Sequence, residues 1–428
     1  MFKRLLGKEK RTTFIATCDQ GVVSLGTFLA NLMLARHLPP ALYGTYAVFY
    51  GVMLVAGAVH MSLVALPMCI KAAADAPATR RYASASALLT VALQPLFAIV
   101  LVTLAAHLSL MLGVAAALAL AAWHLQENFR RALIARLRYG ACTAGDAVMY
   151  LGQAGAVFWL VRSNRLSLTA VFFTLAISAS VGAGLHAALL GVERFSAGEL
   201  REYTRQFWAL GRWMLSGSAA LNLGTQLFPW TLAAALGTAE AARYQAMATV
   251  LGVCNPLLFS LPTVVTPAVA MVREQGLGAV YRVTRHYTLQ YVALGAPYLL
   301  LVAAIPTVVL TRFYGAASPY VHLGLEVRIF AAACALQFVW SGLGGMLNGM
   351  ERTRDNSNAH MVGLGAVVAI GVPLCAFLGV LGAAIAAVVA NLVRVLAILR
   401  STAKLTPPRP EPPVVILEEA VITSSAQQ

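Results

Sequence analysis

Long apolar runs alternate with short polar breaks along almost the whole chain, and about 20 apolar residues suffice for a helix to cross a bilayer core. Such runs at roughly 14–38, 43–67, 84–107, 109–126, 146–161, 167–191, 213–236, 244–271, 288–311, 322–346, 359–377 and 379–399 predict twelve spanning helices. Spans three and four are separated by little more than Ala106, His107, Leu108 and Ser109. Spans eleven and twelve are separated by little more than Leu378 and Gly379. The fold class expected is therefore an all-α polytopic membrane protein.

Composition removes the soluble alternatives. Hydrophobic residues make up 60% of the 428 and charged residues only 11%. A soluble surface needs about a quarter of its residues charged, so this chain cannot cover its own apolar mass in water. Cys18, Cys69, Cys142, Cys254, Cys334 and Cys375 are scattered without a C-x-x-C pair, and read as small buried hydrophobes.

The net charge of +15 would point to nucleic acid in a soluble protein, but its distribution says otherwise. Cytoplasmic loops of membrane proteins accumulate Lys and Arg. With the N-terminus inside, all but six of the 31 basic residues fall at cytoplasmic ends; the six are Arg36, Arg162, Arg165, Arg243, Arg312 and Arg328. Both termini are thus expected to be cytoplasmic, and no nucleic-acid partner is expected. The basic start mimics a signal peptide, yet Asp19 and Gln20 interrupt its apolar run and no A-x-A site follows, so it reads as an uncleaved first helix.

An internal repeat organises the spans. At an offset of 198, Leu25-Gly26-Thr27 matches Leu223-Gly224-Thr225, followed by Leu34 with Leu232, Ala35 with Ala233 and Tyr46 with Tyr244. Six spans separate the copies, so the halves enter the membrane in the same direction, a parallel repeat known from transporter folds. The domains expected are an N-terminal six-helix bundle (1–192), an amphipathic cytoplasmic linker (193–212), a C-terminal six-helix bundle (213–400) and a disordered tail (401–428) with a Pro-rich stretch.

No nucleotide-binding loop, nucleophile elbow or H-E-x-x-H pair occurs, so neither an enzyme nor a cofactor is expected. His124 and Glu127 share a helix face and read as interfacial polar residues. Ionisable and polar groups at membrane depth are costly and become functional candidates. Arg36, Arg130, Arg131, Arg212, Asn222 and Gln226 are candidates for an anionic substrate, because Arg forks match phosphate oxygens. Asp19 and Asp146 are candidates for a coupling ion. Arg394, near the inner end of the last span, is expected to snorkel to the interface. Pro67, Pro95, Pro229, Pro256, Pro262 and Pro267 are expected to interrupt spans.

Several of these residues carry a family resemblance. Asp19-Gln20, Ser24, Phe28, Ala35-Arg36-His37-Leu38-Pro39 and Tyr43-Gly44-Thr45-Tyr46 resemble the opening of the Wzx-type polysaccharide flippases, within the multidrug/oligosaccharidyl-lipid/polysaccharide exporter superfamily. Glu127-Asn128-Phe129-Arg130-Arg131 with Asp146 after it, and Gly237-Thr238 leading to Tyr244, are similar as well. The resemblance implies a bacterial inner-membrane protein that moves a lipid-linked anionic glycan, a polyprenyl-diphosphate oligosaccharide, from the cytoplasmic to the periplasmic leaflet. It further implies work beside polysaccharide polymerase and glycosyltransferase machinery, and lateral portals flanked by spans one and seven. The alternative is a cation-coupled multidrug exporter of the same superfamily, which would place acids in its cavity.

Overall fold

The computed structural model describes residues 2–403, with side chains from Cys18 onward. The Pro-rich stretch and most of the expected tail lie outside the described residues. Described residues form helices with short connections, as lipid demands: backbone polar groups there must be satisfied within the segment. Span one is Phe2–His37, span two Pro40–Ala74, span three Thr79–Ala105, span four Leu110–Ala135, span five Tyr139–Arg162 and span six Leu168–Leu190. Span seven is Ala197–Leu236, span eight Thr238–Gln275, span nine Leu277–Ala304 and span ten Gly324–Gly349. A short helix, Pro306–Tyr314, joins spans nine and ten. The last helical stretch, Thr353–Thr402, is spans eleven and twelve.

Glycine makes that last division. Gly379 sits at φ 61°, ψ −140°, which turns the chain back between two helices. A side chain is strained there. Span boundaries inside the membrane follow proline chemistry differently from the expectation. Pro95, Pro229, Pro262 and Pro267 stay inside continuous helices. Pro67 and Pro373 instead each follow a π-helical turn, Met61–Ala65 and Val367–Gly371. Each proline leaves the carbonyl four residues back, at Leu63 or Ala369, without a helical donor. The wider turn there accommodates the loss.

The repeat is visible in packing. Gly26 of span one lies against the backbone of Tyr150, within a π-helical turn (Ala147–Leu151) of span five. Its counterpart Gly224 of span seven lies against Leu364 and Val367, where span eleven enters its own π turn. Leu34 and Leu232 are both fully buried. The same glycine in each half lets its helix approach the widened turn of the fifth helix of that half.

The stretch 193–212 corrects the expectation of a separate surface helix. Span seven is one helix from Ala197, opened by a capping box in which Ser196 accepts from the Glu199 amide and Glu199 from the Ser196 amide. Its amphipathic first turns pack one face on the N-terminal half. Tyr203 and Phe207 are buried with Met68 and Tyr82, with the Tyr82 and Tyr203 rings 4.5 Å apart. Arg81 of span three reaches Glu193 and Glu199 at 2.6 and 3.4 Å. The apolar face found protein rather than lipid, so the helix begins under the N-terminal half.

The ends that carry most of the Lys and Arg are termed inner below, the opposite ends outer. At the outer end the halves close on each other. Tyr43 and Tyr46 of span two and Tyr320 before span ten are fully buried, with the Tyr43 and Tyr320 rings 6.2 Å apart. Tyr43 Oη lies 3.4 Å from Thr249 Oγ1 of span eight, and within the C-terminal half Tyr314 donates to Ala246 O at 2.8 Å. Gly44 sits so close to the start of span eight that a Cβ would overlap Thr238 O. Further in, Trp230 of span seven donates to Val48 O of span two at 3.2 Å, and Gly211 backs onto Ser62 O.

Candidate functional site

Four spans of the N-terminal half bring their charges to one buried place. Arg130 of span four donates from Nη2 to Asp19 Oδ2 of span one at 2.6 Å and from Nε to Asp146 Oδ2 of span five at 2.5 Å. Its Nη1 lies 3.5 Å from Glu127 Oε2. Arg131 donates to Glu127 Oε1 at 2.6 Å. Gln126 donates to Asp146 Oδ1 at 2.6 Å, and His186 of span six donates to Cys142 O at 3.0 Å while standing 3.9 Å from Asp146 Oδ1. Asp19, Asp146 and His186 are essentially excluded from solvent. Gly145 makes room: a Cβ there would overlap the His186 ring.

This geometry changes the roles expected of the residues. Asp19 and Asp146 come together, although 127 positions apart in sequence terms they gave no sign of it. Arg130, expected to face a substrate phosphate, is instead held by two carboxylates, because burial of a guanidinium demands a partner. Arg131 is held by Glu127. Three carboxylates (Asp19, Glu127, Asp146) meet two guanidiniums. Asp19 Oδ1 and Gln126 Oε1 are buried without a hydrogen-bond partner. Counted by formal charge with His186 neutral, the cluster sets three carboxylates against two guanidiniums and has acceptors to spare.

His124 corrects the interfacial reading. It is buried, and its ring stacks on His60 of span two at 4.5 Å and 8°. Thr90 donates to Ser86 O, so its oxygen accepts from His60 Nε2 at 2.9 Å. Gln94 meets His124 Nδ1 at 3.1 Å.

The remaining candidates are dispersed. Arg36 donates to Arg312 O at 2.9 Å and to Phe313 O, so it caps the short outer helix. Beside it open two outer clefts. One, of about 700 Å³, is lined by His37, Thr307, Thr311 and Arg312; the other, of about 540 Å³, by Leu29, Phe158 and Arg162. Arg212 is exposed and lies over the Trp213 ring at 5.1 Å. Asn222 donates to Ser218 O of its own helix at 2.9 Å, and Gln226 lies against Gly51 at the contact of spans two and seven. A small pocket lies inside the N-terminal bundle between Thr27, Asn31, Tyr50, Trp123, Tyr150 and Gln153, as expected of polar Asn31 and Gln153, which are costly to leave facing lipid. The polar Asn31 and Gln153 were its one legible signal. Arg394 does not snorkel: it is 4% exposed, in contact with Gly224 and Gly363.

Two six-helix bundles, related in parallel and closed on each other through spans one, two, seven and eight, define the class: the chain is a polytopic membrane protein with the fold of the MOP superfamily transporters. A multidrug resistance MATE family transporter of that superfamily, solved in an inward-facing conformation, is similar with a TM-score of 0.74 at 12% identity, over 90% of this chain and 97% of that one. The lipid II flippase MurJ, in an inward closed conformation, is similar with a TM-score of 0.70 at 12% identity, over 92% of this chain and 88% of that one. An outward-facing MATE family structure gives 0.64 at 12% identity, over 92% and 95%. No protein-family profile and no curated relative matches the sequence.

Proposed function

We propose that this chain is a flippase of the bacterial inner membrane. It moves a polyprenyl-diphosphate-linked oligosaccharide from the cytoplasmic to the periplasmic leaflet by rocking its two halves, with both termini cytoplasmic. The fold supports a transporter, and its likeness to a lipid II flippase supports a lipid-linked substrate. The observation that carries the choice is the placement of charge. The acids at membrane depth in the N-terminal half are engaged by Arg130 and Arg131, whereas the outer clefts around Arg36, Arg162 and Arg312 have no carboxylate among their lining residues. The second cleft also has lipid-facing apolar walls, Leu29 and Phe158. An apolar wall under a cationic rim suits a lipid with a phosphate headgroup.

The closed outer end, with the higher TM-score to an inward-facing structure, supports reading this state as open toward the cytoplasm. The surplus negative charge of the Asp19–Arg130–Asp146 cluster supports coupling to a proton or a small cation. That same surplus favours the second reading, a cation-coupled multidrug exporter. The two part in cells. Depletion of a flippase should leave lipid-linked oligosaccharide accumulated on the cytoplasmic leaflet and polymer export lost, beside intact polymerase and glycosyltransferases. Unchanged polymer export with raised sensitivity to cationic drugs would replace the first reading by the second.

A further inference from the structure

The C-terminal half holds the reverse of the N-terminal cluster. Arg394, roughly two turns before the end of span twelve at Thr402, is 4% exposed. Its Nη1 donates to Asn391 Oδ1 at 2.8 Å, and its guanidinium carbon lies 5.9 Å from the Trp340 ring centre. Nε is buried with no partner. Across the edge of Trp340, with ring centres 5.3 Å apart, stands His360, 8% exposed, whose Nδ1 is also buried without a partner.

No carboxylate answers this charge. Among the described residues of the half, Glu240 and Glu326 face Arg243, Glu351 holds Arg273, Asp355 holds Arg352, and Glu274 is exposed. All five lie at or beyond helix ends. Asn391 is already committed: it accepts from Trp340 and Arg394 and donates to Ala333 O. A buried guanidinium without a counter-charge is strongly destabilising. Such a group inside a membrane protein marks an ion pathway or a ligand.

We propose that Arg394 and His360 form a binding site for a small inorganic anion of halide size, inside the C-terminal bundle. The size follows from the walls. A Cβ at Gly363 would lie 2.5 Å from Arg394 Nε and one at Gly224 3.4 Å from Nη2, so the helices pack closely around the guanidinium and leave no space for a lipid diphosphate. Toward the inner loop, one turn before His360, lie the polar Asn356 and Ser357, and Asn356 Nδ2 donates to Asn348 Oδ1 at 3.3 Å. The anion supplies the missing charge and takes the idle Arg394 and His360 donors. The two bundles then carry opposite ion preferences, a cation in the first and an anion in the second. This site stands on the C-terminal half alone and does not depend on the identity of the transported substrate.

The test is the thermal stability of the purified full-length protein at constant ionic strength, with gluconate replaced stepwise by chloride, bromide or phosphate. Wild type should gain melting temperature with chloride or bromide in a saturable way. Arg394→Gln should lose that response and melt in gluconate at or above wild type, since its unpaired charge is gone. Arg394→Lys should keep a halide response with a shifted midpoint. Equal melting of wild type in gluconate and halide overturns the site, whether or not the variants fold. A response to phosphate alone overturns the halide-sized slot, and a halide response retained by Arg394→Gln overturns the assignment to this residue.

Discussion

Arg130 is the residue on which the N-terminal core turns. Replacing one member of a buried ion pair strands its partners, at a cost of about 3–5 kcal/mol. Arg130→Met should therefore lower the melting temperature of the protein in detergent sharply. Adding Asp146→Asn to that variant should restore part of the loss, because one stranded charge is removed; a double variant less stable than the single one would show that Asp146 has other partners. Asp19→Asn should leave insertion intact and impair transport, measured as polymer export, if the surplus charge couples an ion. The charged residues of this cluster were conspicuous in the sequence, Asp19 within an apolar run and Glu127, Arg130, Arg131 and Asp146 at the ends of others. Their pairing was not. Spacing reveals neighbours on one helix, such as Glu127 with Arg130 and Arg131, but which helix faces meet is decided by packing across the bundle. Arg394 was misjudged for the same reason: its position near a helix end allowed snorkelling, and only the glycines of two other spans show that it is enclosed.

Elements were more legible than sites. Each of the twelve apolar runs falls on a helix, although several helices extend well beyond their run and the run 288–311 crosses the break at Ile305; the two thin separations fall at turns, one at Ala106–Ser109 and one at Gly379. Hydropathy failed where a helix continues beyond lipid, as in span four to Ala135 and span seven from Ala197. Those extensions are polar outside and buried on one face against protein, so no window of apolarity marks them. The start of span seven makes a prediction with pH. Hydrogen bonds from the Ser196 backbone and side chain, then Arg81, hold the Glu199 carboxyl below its ordinary range. The contribution of that cap is complete above the ordinary glutamate range and is lost as pH falls through the lowered value. Protection factors of the amides just after Ser196, taken relative to the intrinsic exchange rate at each pH, should fall on acidification in wild type and already be low in Ser196→Ala at neutral pH. No difference between the two proteins would remove the cap from the description. At the other end of span seven, Gly44→Leu drives a side chain into Thr238 O. Spin labels at the outer ends of spans two and eight should separate in that variant, and an unchanged distance would mean that this seal does not gate the outer end.

For the whole molecule, the parallel repeat was readable from a Gly-Thr pair and a tyrosine, and the structure gives it a physical basis in the two glycine contacts with π-helical turns. Orientation rests on charge. Reporter fusions after residues 165, 240 and 315 should all report the periplasmic side, and a cytoplasmic signal at any of them breaks the topology at that span. The central claim is lipid transfer by alternating exposure of two halves. It is tested most directly in proteoliposomes loaded with polyprenyl-diphosphate-linked oligosaccharide, by following the fraction of glycan reached from outside by a membrane-impermeant oxidant. Wild-type protein should render the inner-leaflet pool reactive well beyond the rate of protein-free vesicles, and Gly44→Leu should slow that transfer without loss of folded protein. A wild-type rate equal to that of protein-free vesicles, with and without an imposed proton or sodium gradient, would contradict it.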